Sequence, residues 1–296
     1  MIVYLSTTDH GYTIGDYLAG PGAALADRVV HRTYVEMLGA GPDGLRGLVP
    51  ATWIFSDIER LLPTMAAAAA QLWQRLADAG CRLLNHPTRA LRRYEMLRVL
   101  HEQGRNDFDV YRVTDRRQPR RWPVFLRRDD NHTGPLSALI GSAEELRREI
   151  AGLYARNWPY QSTIIVEFSD TADAAGLYRK YGAFRIGDAV VPGHMDTSRG
   201  WSVKDADLDL PEERARELAF LDANPWEREI RRAFAVARLD YGRLDFSVRD
   251  GRMLVWEINT NPLIASPASL RPDRAAVADR LFPRFQAALA ALDSGA

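Results

Sequence analysis

The stretch from Arg238 to Leu263, RLDYGRLDFSVRDGRMLVWEINTNPL, constrains the fold most, because it sets paired chemical groups on a two-residue period. Leu244, Phe246 and Val248 alternate with Asp245 and Ser247, and Leu254, Trp256 and Ile258 alternate with Val255, Glu257 and Asn259. That is the pattern of two half-buried strands, with Arg249-Asp250-Gly251 as the turn. Side chains on a strand alternate between faces, so turn length decides which polar residues meet. A two-residue Asp-Gly loop pairs Arg249 with Arg252, sets Asp245 opposite Trp256, and leaves Asp245 and Glu257 on opposite faces. A three-residue loop with a left-handed Gly251 gathers Asp245, Glu257 and Asn259 on one face and the apolar set on the other. The three-residue loop is the expectation. Two carboxylates and an amide oxygen so gathered are hard oxygen ligands, as Mg²⁺ takes when phosphates and waters complete its octahedron. The alternative is an ordinary surface hairpin with solvent-facing polar groups, and the rest of the chain decides between the two.

With 296 residues, 46% of them hydrophobic, the chain can bury a large core and form two or three packed subdomains. Acidic and basic residues cancel at 39 each, which argues neither for a nucleic-acid partner nor for disorder. The N-terminus has no basic segment followed by a long apolar run, and no stretch has the apolar length of a membrane span, so a cytoplasmic protein is expected. The single cysteine, Cys81, has no intrachain partner and reads as a packed, inert thiol. Lys180 and Lys204 are the only lysines in a chain otherwise rich in arginine. Arginine therefore stands where other chains use lysine, and the two are not freely exchanged at a tight site.

Met1 to Ser6 reads as a strand, and the glycine-containing loop after it carries no phosphate-binding fingerprint. ATWIFSDIERLL reads as a strand running into a turn, with Asp57 capping a helix. Thr64 to Ala79, with five consecutive alanines, is helical and stops at Gly80. CRLLNHP is a strand, followed by a helix from Thr88 to Gln103. This alternation implies an α/β N-terminal unit with a parallel sheet. Downstream, PVFL and STIIVEF are buried-strand runs, and Ser142 to Tyr154 is a capped helix. Ile186-Gly187-Asp188-Ala189 is a tight turn, residues 210–237 are helical with a break at Asn224-Pro225, and the last helix runs from Pro272 to Leu292.

Asp245, Glu257, Asn259 and Pro262, in the order LDF then VWEINTNP, resemble the C-terminal metal motif of the ATP-grasp superfamily, in particular its glutathione synthetase and ribosomal-protein glutamate ligase branch. The resemblance extends from about Leu83 to Pro267 and implies that Asp245, Glu257 and Asn259 hold Mg²⁺ against ATP. LNHPTRALRRYEMLRVLHEQG is similar to the segment where such chains leave the N-terminal domain, and the family's phosphate-contacting lysine falls on Arg93. WPVFLRRDDNHTG is similar to the strand that delivers a second lysine, here Arg127, into a phosphate loop. That loop, Asp129 to Gly134, has one glycine where many members have several, and its His132 is a candidate phosphate or substrate contact. STIIVEFSD resembles the hinge whose backbone holds adenine, at Glu167 and Phe168, with Asp170 or Asp173 for the ribose. Arg179 or Lys180 falls where the family sets a basic residue toward substrate and phosphates; adjacent strand residues face opposite ways, so one of them points into the site. Lys204 lies where a basic residue often meets the γ-phosphate.

The fold so implied is α/β, with α+β character in the C-terminal half: an N-terminal α/β domain (1–91), a central lid subdomain (92–168), and a C-terminal mixed-sheet subdomain with the metal site (169–296). The activity implied is an ATP- and Mg²⁺-dependent carboxylate–amine ligase working through an acyl-phosphate on small-molecule or peptide substrates. A kinase, or a nucleotide-binding protein without catalysis, are the alternatives, the latter because arginines replace both lysines. Oligomeric state is not legible.

Overall fold

The computed structural model describes residues 1–203, 208 and 210–293, and only the backbone of Pro42 and Asp43. Its first sheet is parallel, in the order β2-β1-β3-β4, with β1 Ile2–Ser6, β2 Val29–Thr33, β3 Thr52–Phe55 and β4 Arg82–Leu84. Every residue of β1 is buried, as a parallel strand covered on both faces must be. Helices α1 (Tyr12–Ala19), α2 (Tyr34–Gly39) and α3 (Pro63–Asp78) connect the strands. α2 starts at a capping box between Thr33 and Glu36. α3 starts on a proline and ends before Gly80, whose φ of 76° a side chain would resist.

Asp57 caps no helix. It sits left-handed (φ 56°) ahead of a short 3₁₀ turn, and its carboxylate accepts from the Thr7 N–H and hydroxyl and from Arg60. Helix α4 (Arg93–Glu102) begins five residues later than Thr88, because the Leu91 N–H bonds the Ala237 carbonyl and holds the preceding segment against the C-terminal half.

A second sheet, antiparallel in the order β5-β7-β6, comprises β5 Val110–Arg112, β6 Val124–Arg128 and β7 Thr163–Glu167. Helix α5 (Ala143–Ala155), capped by the Ser142 side chain, buries Leu146 and Leu153 against Tyr111, Leu126 and Ile165 in a small core of its own.

The third sheet runs β11-β10-β8-β9 with β8 Tyr178–Ile186, β9 Ala189–Ser198, β10 Tyr241–Arg249 and β11 Arg252–Asn259. It is antiparallel throughout, where a mixed sheet was expected. Helices α6 (Pro211–Ala223) and α7 (Glu227–Ala237), separated at a left-handed Asn224, cover one face; Ile230 and Phe234 share a core with Leu244 and Phe246. Helix α8 (Ala275–Asp293) packs on the other face, Phe285 against Phe184. Beyond β11, Asn261 accepts from the hydroxyls of Tyr4 (2.7 Å) and Thr13 (2.5 Å) and donates to the His10 carbonyl (3.0 Å), tying the third sheet to the first. Among the described residues no helix is long and apolar enough to cross a membrane.

Candidate functional site

The hairpin at the centre of the site has a two-residue turn, not the three-residue loop expected. Arg249 pairs with Arg252, and Asp250 and Gly251 both take positive φ (50° and 70°), as a type I′ turn requires. Continued without interruption, that register would set Asp245 against Trp256. It does not, because the register shifts by one: Phe246 faces Val255 while Asp245 faces Glu257, and Trp256 is the extra residue of a β-bulge. The bulge restores the parity that the turn takes away. Asp245 and Glu257 are direct cross-strand neighbours, with Asn259 opposite Arg243 on the same face. The bulge also redistributes the apolar set, since Val255 rather than Trp256 joins Phe246 and Ile258. Trp256 stacks on Phe108 (4.9 Å between ring centres) and donates its indole N–H to Ser247 (2.8 Å).

Asp245, Glu257 and Asn259 are nearly buried, at 3%, 8% and 9% exposed. Cations neutralise the two carboxylates. One Glu257 oxygen takes Arg127 at 2.6 Å and Arg93, and the other lies 3.3 Å from His132 Nδ1. Asp245 is gripped by both ends of the Arg243 guanidinium, at 2.8 and 3.2 Å. The Asn259 side-chain oxygen accepts the Asn261 N–H. His132 bridges onward, its Nε2 2.9 Å from Glu59, which also accepts the Thr260 N–H and hydroxyl.

Burial alone would push these carboxyls up, yet the charges win. Arg93, Arg127 and His132 hold Glu257 well below the usual carboxylate range, Arg243 and Lys180 lower Asp245, and His132 with Thr260 brings Glu59 down to about 2. Burial would lower the His132 imidazole, but Glu257 and Glu59 raise it above its ordinary value. Burial, then the neighbouring Arg93, brings Arg127 down to about 10 against the pull of Glu257, which leaves it charged at neutral pH.

Arg93, Arg127 and His132 thus converge on the Asp245–Glu257 pair. Lys180 and Arg179 diverge: Lys180 lines the cleft beside Asp245 and pairs with Asp196 at 3.3 Å, whereas Arg179 is bound by Glu213 (2.5 and 2.8 Å) and Asp173 (2.7 Å) away from it. Asp173 also accepts the N–H groups of Ala175 and Leu177, building the turn before β8, and does not line the cleft. Asp170 accepts the Ala172 N–H. The Glu167 side chain is a structural knot, accepting from the Asp109, Arg120 and Arg121 N–H groups and the Tyr111 hydroxyl. The N–H groups of Glu167 and Phe168 are taken by the carbonyls of Asp109 and Pro123, so neither is a free donor for a base. The Phe168 ring, however, lines the cleft with Phe125, Trp201 and Trp256. Lys204 lies outside the described residues.

Several site groups went unnoticed in the sequence. Arg243 was legible, since a residue two before Asp245 on a strand shares its face. Glu59 was not, because only the packing of the first sheet on Thr260 brings it in.

The cleft has an aromatic end and a cationic end, suited to a flat base and a polyanion. The Nε–H groups of Arg93 and Arg127 are buried without a partner, donors in search of acceptors. Two carboxylates and an amide on adjacent strands fit a hard divalent cation, provided the arginines move to other oxygens. Among the described residues no cluster of three or more Asp, Glu, His or Cys side chains is arranged to hold a metal ion. A second cavity of about 480 Å³ opens over the same sheet, shares Lys180 with the first, and is lined by Arg243, His194, Asp196, Phe184, Ile264 and Leu281.

A parallel sheet flanked by helices and joined to two antiparallel sheets with a charged cleft defines a three-sheet α/β architecture. No family model matches the chain, and no curated protein matches it. Solved structures do. The D-alanine–D-alanine ligase from Bacillus anthracis complexed with ATP is 12% identical with a TM-score of 0.57, over 98% of this chain and 95% of that one. Those from Helicobacter pylori (12%, 0.52, 100% and 99%) and Coxiella burnetii (15%, 0.51, 98% and 94%) are similar. The chain has the ATP-grasp fold. At such identity the likeness is one of fold and chooses no branch.

Proposed function

We propose that this chain is an ATP- and Mg²⁺-dependent ligase that joins a carboxylate to an amine through an acyl-phosphate. The observation that carries the reading is the cross-strand pair Asp245–Glu257, buried at the end of an aromatic cleft and ringed by Arg93, Arg127, Arg243, His132 and Lys180. Asp245, Glu257 and Asn259 would hold Mg²⁺, which when bound would offset the negative charge of the phosphates. Arg93 and Arg127 exchange Glu257 for phosphate oxygens, to which guanidinium donates in a bidentate fork. Phe125, Phe168, Trp201 and Trp256 give the base an apolar slot. Lys180, at the junction of the two cavities, and Arg243, on Asp245 and lining the second, orient the substrate carboxylate and stabilise charge on the transferring group; positioning and preformed electrostatics carry most of such a reaction. The division into units at 1–91, 92–168 and 169–296 belongs to the same reading, each unit carrying one sheet.

A screen of amino acids, dipeptides and small carboxylic acids for ADP release with Mg²⁺, followed by mass spectrometry of the products, tests it. Substrate-dependent ADP release with a condensed amide is expected, and a phosphorylated product without an amide would make the chain a kinase instead. A second reading, nucleotide binding without catalysis, draws on the same arginines, since every oxygen of Asp245 and Glu257 already has a partner in the protein. It predicts ATP binding with no ADP release under any pair of substrates.

A further inference from the structure

The β8–β9 hairpin carries its own register shift. Gly187 and Asp188 form a two-residue turn, with Ile186 paired to Ala189, and an unbroken register would set Gly182 opposite Gly193. The shift falls between Gly182 and Ala183, so Gly182 faces His194 and Gly193 is the extra residue. Gly182 also faces Asp245 on its other side. Glu257, Asp245, Gly182 and His194 therefore form a single row across all four strands, on one face of the sheet. At strand spacings of about 4.8 Å the imidazole starts roughly 10 Å from Asp245 and leans inward over the glycine. A Cβ at Gly182 would come within 2.3 Å of the His194 ring, so only glycine admits the imidazole there.

The His194 side chain is 22% exposed, opening into the second cavity, with its Nε2 3.5 Å from Asp196. Burial lowers its pKa below the ordinary value, with Arg243 and Lys180 also lowering and Asp196 and Asp245 opposing, so the ring is neutral at pH 7. Lys180 and Arg243 are donors only, and Asp196 is engaged by Lys180. Among the described residues lining this cavity, the imidazole is the group suited to take a proton near neutral pH.

We propose that His194 is the base that deprotonates the amine substrate, and that the cavity around it receives an amino compound with an apolar side chain. This rests on the ligase reading above. Asp196 receives the ammonium, and Phe184, Ile264 and Leu281 form the apolar floor. The ammonium gives one proton to His194 and its freed lone pair attacks the acyl-phosphate carbonyl. The C–N bond forms, the bond from that carbon to the phosphate oxygen breaks, and the second N–H proton leaves with phosphate. Asp196 steadies the imidazolium until it releases its proton to water.

Hydroxylamine separates the two halves of this chemistry, because it traps acyl-phosphates as hydroxamates and is already unprotonated on nitrogen at neutral pH. Wild type, His194→Gln and His194→Asn are each given ATP, Mg²⁺, the twenty amino acids and, singly with each of them, the dipeptides and small carboxylic acids of the screen above, with and without hydroxylamine. In both variants amide formation at pH 7 should fall about a hundredfold, hydroxamate formation less than fivefold, and amide formation should recover as pH rises. In wild type, which needs no variant to fold, amide formation should rise through one ionisation that hydroxamate formation lacks. If hydroxamate and amide fall together, or neither falls, or wild type shows no such difference in pH dependence, His194 is not the base and the ligase reading stands. If wild type yields no hydroxamate with any of these carboxylates, the ligase reading itself falls, and this proposal with it.

Discussion

The two hairpins of the C-terminal sheet are built alike and filled differently. Each has a two-residue turn with a glycine at positive φ, and each carries one extra residue on its returning strand, Gly193 in the first and Trp256 in the second. In both, the extra residue moves a titratable side chain onto the face of the cleft: His194 in one, Glu257 in the other. The fillings show what a bulge needs. Trp256 is pinned by stacking on Phe108 and by its bond to Ser247. Gly193 lies so close to the Phe184 ring and the Gly182 carbonyl that a Cβ would meet them at 2.8 and 3.1 Å. One bulge is held by what it adds, the other by what it lacks.

The comparison breaks hardest if a bulge loses its anchor. Trp256→Ala takes away the ring that stacks on Phe108 and the indole N–H that bonds Ser247, the contacts that pin the bulge, and should cost about 2–4 kcal/mol and weaken ADP release; a denaturant melt within 1 kcal/mol of wild type would show that Trp256 does not hold the register. Glu257→Gln keeps the shape and removes the charge, so ADP release should fall about 10²–10³-fold with little change in helical content by circular dichroism.

The second hairpin is also anchored at its exit, where Glu59 receives Thr260. Its carboxyl, lowered to about 2 from 4.5, contributes stability that is present above pH 4.5 and lost as pH falls toward 2, on the order of 3 kcal/mol. Glu59→Gln should flatten that stretch of the stability profile, measured by urea melts at stepped pH. At the first hairpin, Gly182→Ala presses a methyl into the His194 ring and should cost about 1–3 kcal/mol, slowing amide formation more than nucleotide binding by titration calorimetry. The smallest effect belongs to the tip. Asp250→Asn suits the same left-handed conformation and should change stability by less than about 0.5 kcal/mol, because the turn is not what sets the register.

Much of this was legible in the sequence, and the failures share a cause. Alternation in residues 244–259 placed Asp245, Glu257 and Asn259 together, but through the wrong device: a three-residue turn was inferred where a type I′ turn and a bulge do the work. A turn is local chemistry, whereas the bulge at Trp256 depends on Phe108, more than a hundred residues away. His194 was missed for the same reason, since its face is fixed by a register shift opposite Gly182 that no periodicity reports. Arg93 and Arg127 were found by resemblance to lysine positions, but nothing in the sequence indicated that both would clasp Glu257. Asp57 and the late start of α4 went astray because long-range bonds to Thr7 and Ala237 overrode local signals.

The clasp of Asn261 on Tyr4, Thr13 and His10 spans about 250 residues of chain. On a ribosome adding roughly 5–20 residues per second, the first strand waits on the order of 10–50 s for that partner. Loop closure over such separations makes assembly slow, so the nascent N-terminal sheet must stay soluble with one flank uncovered. A chain stalled before residue 261 would leave that flank bare for chaperones or proteases to find.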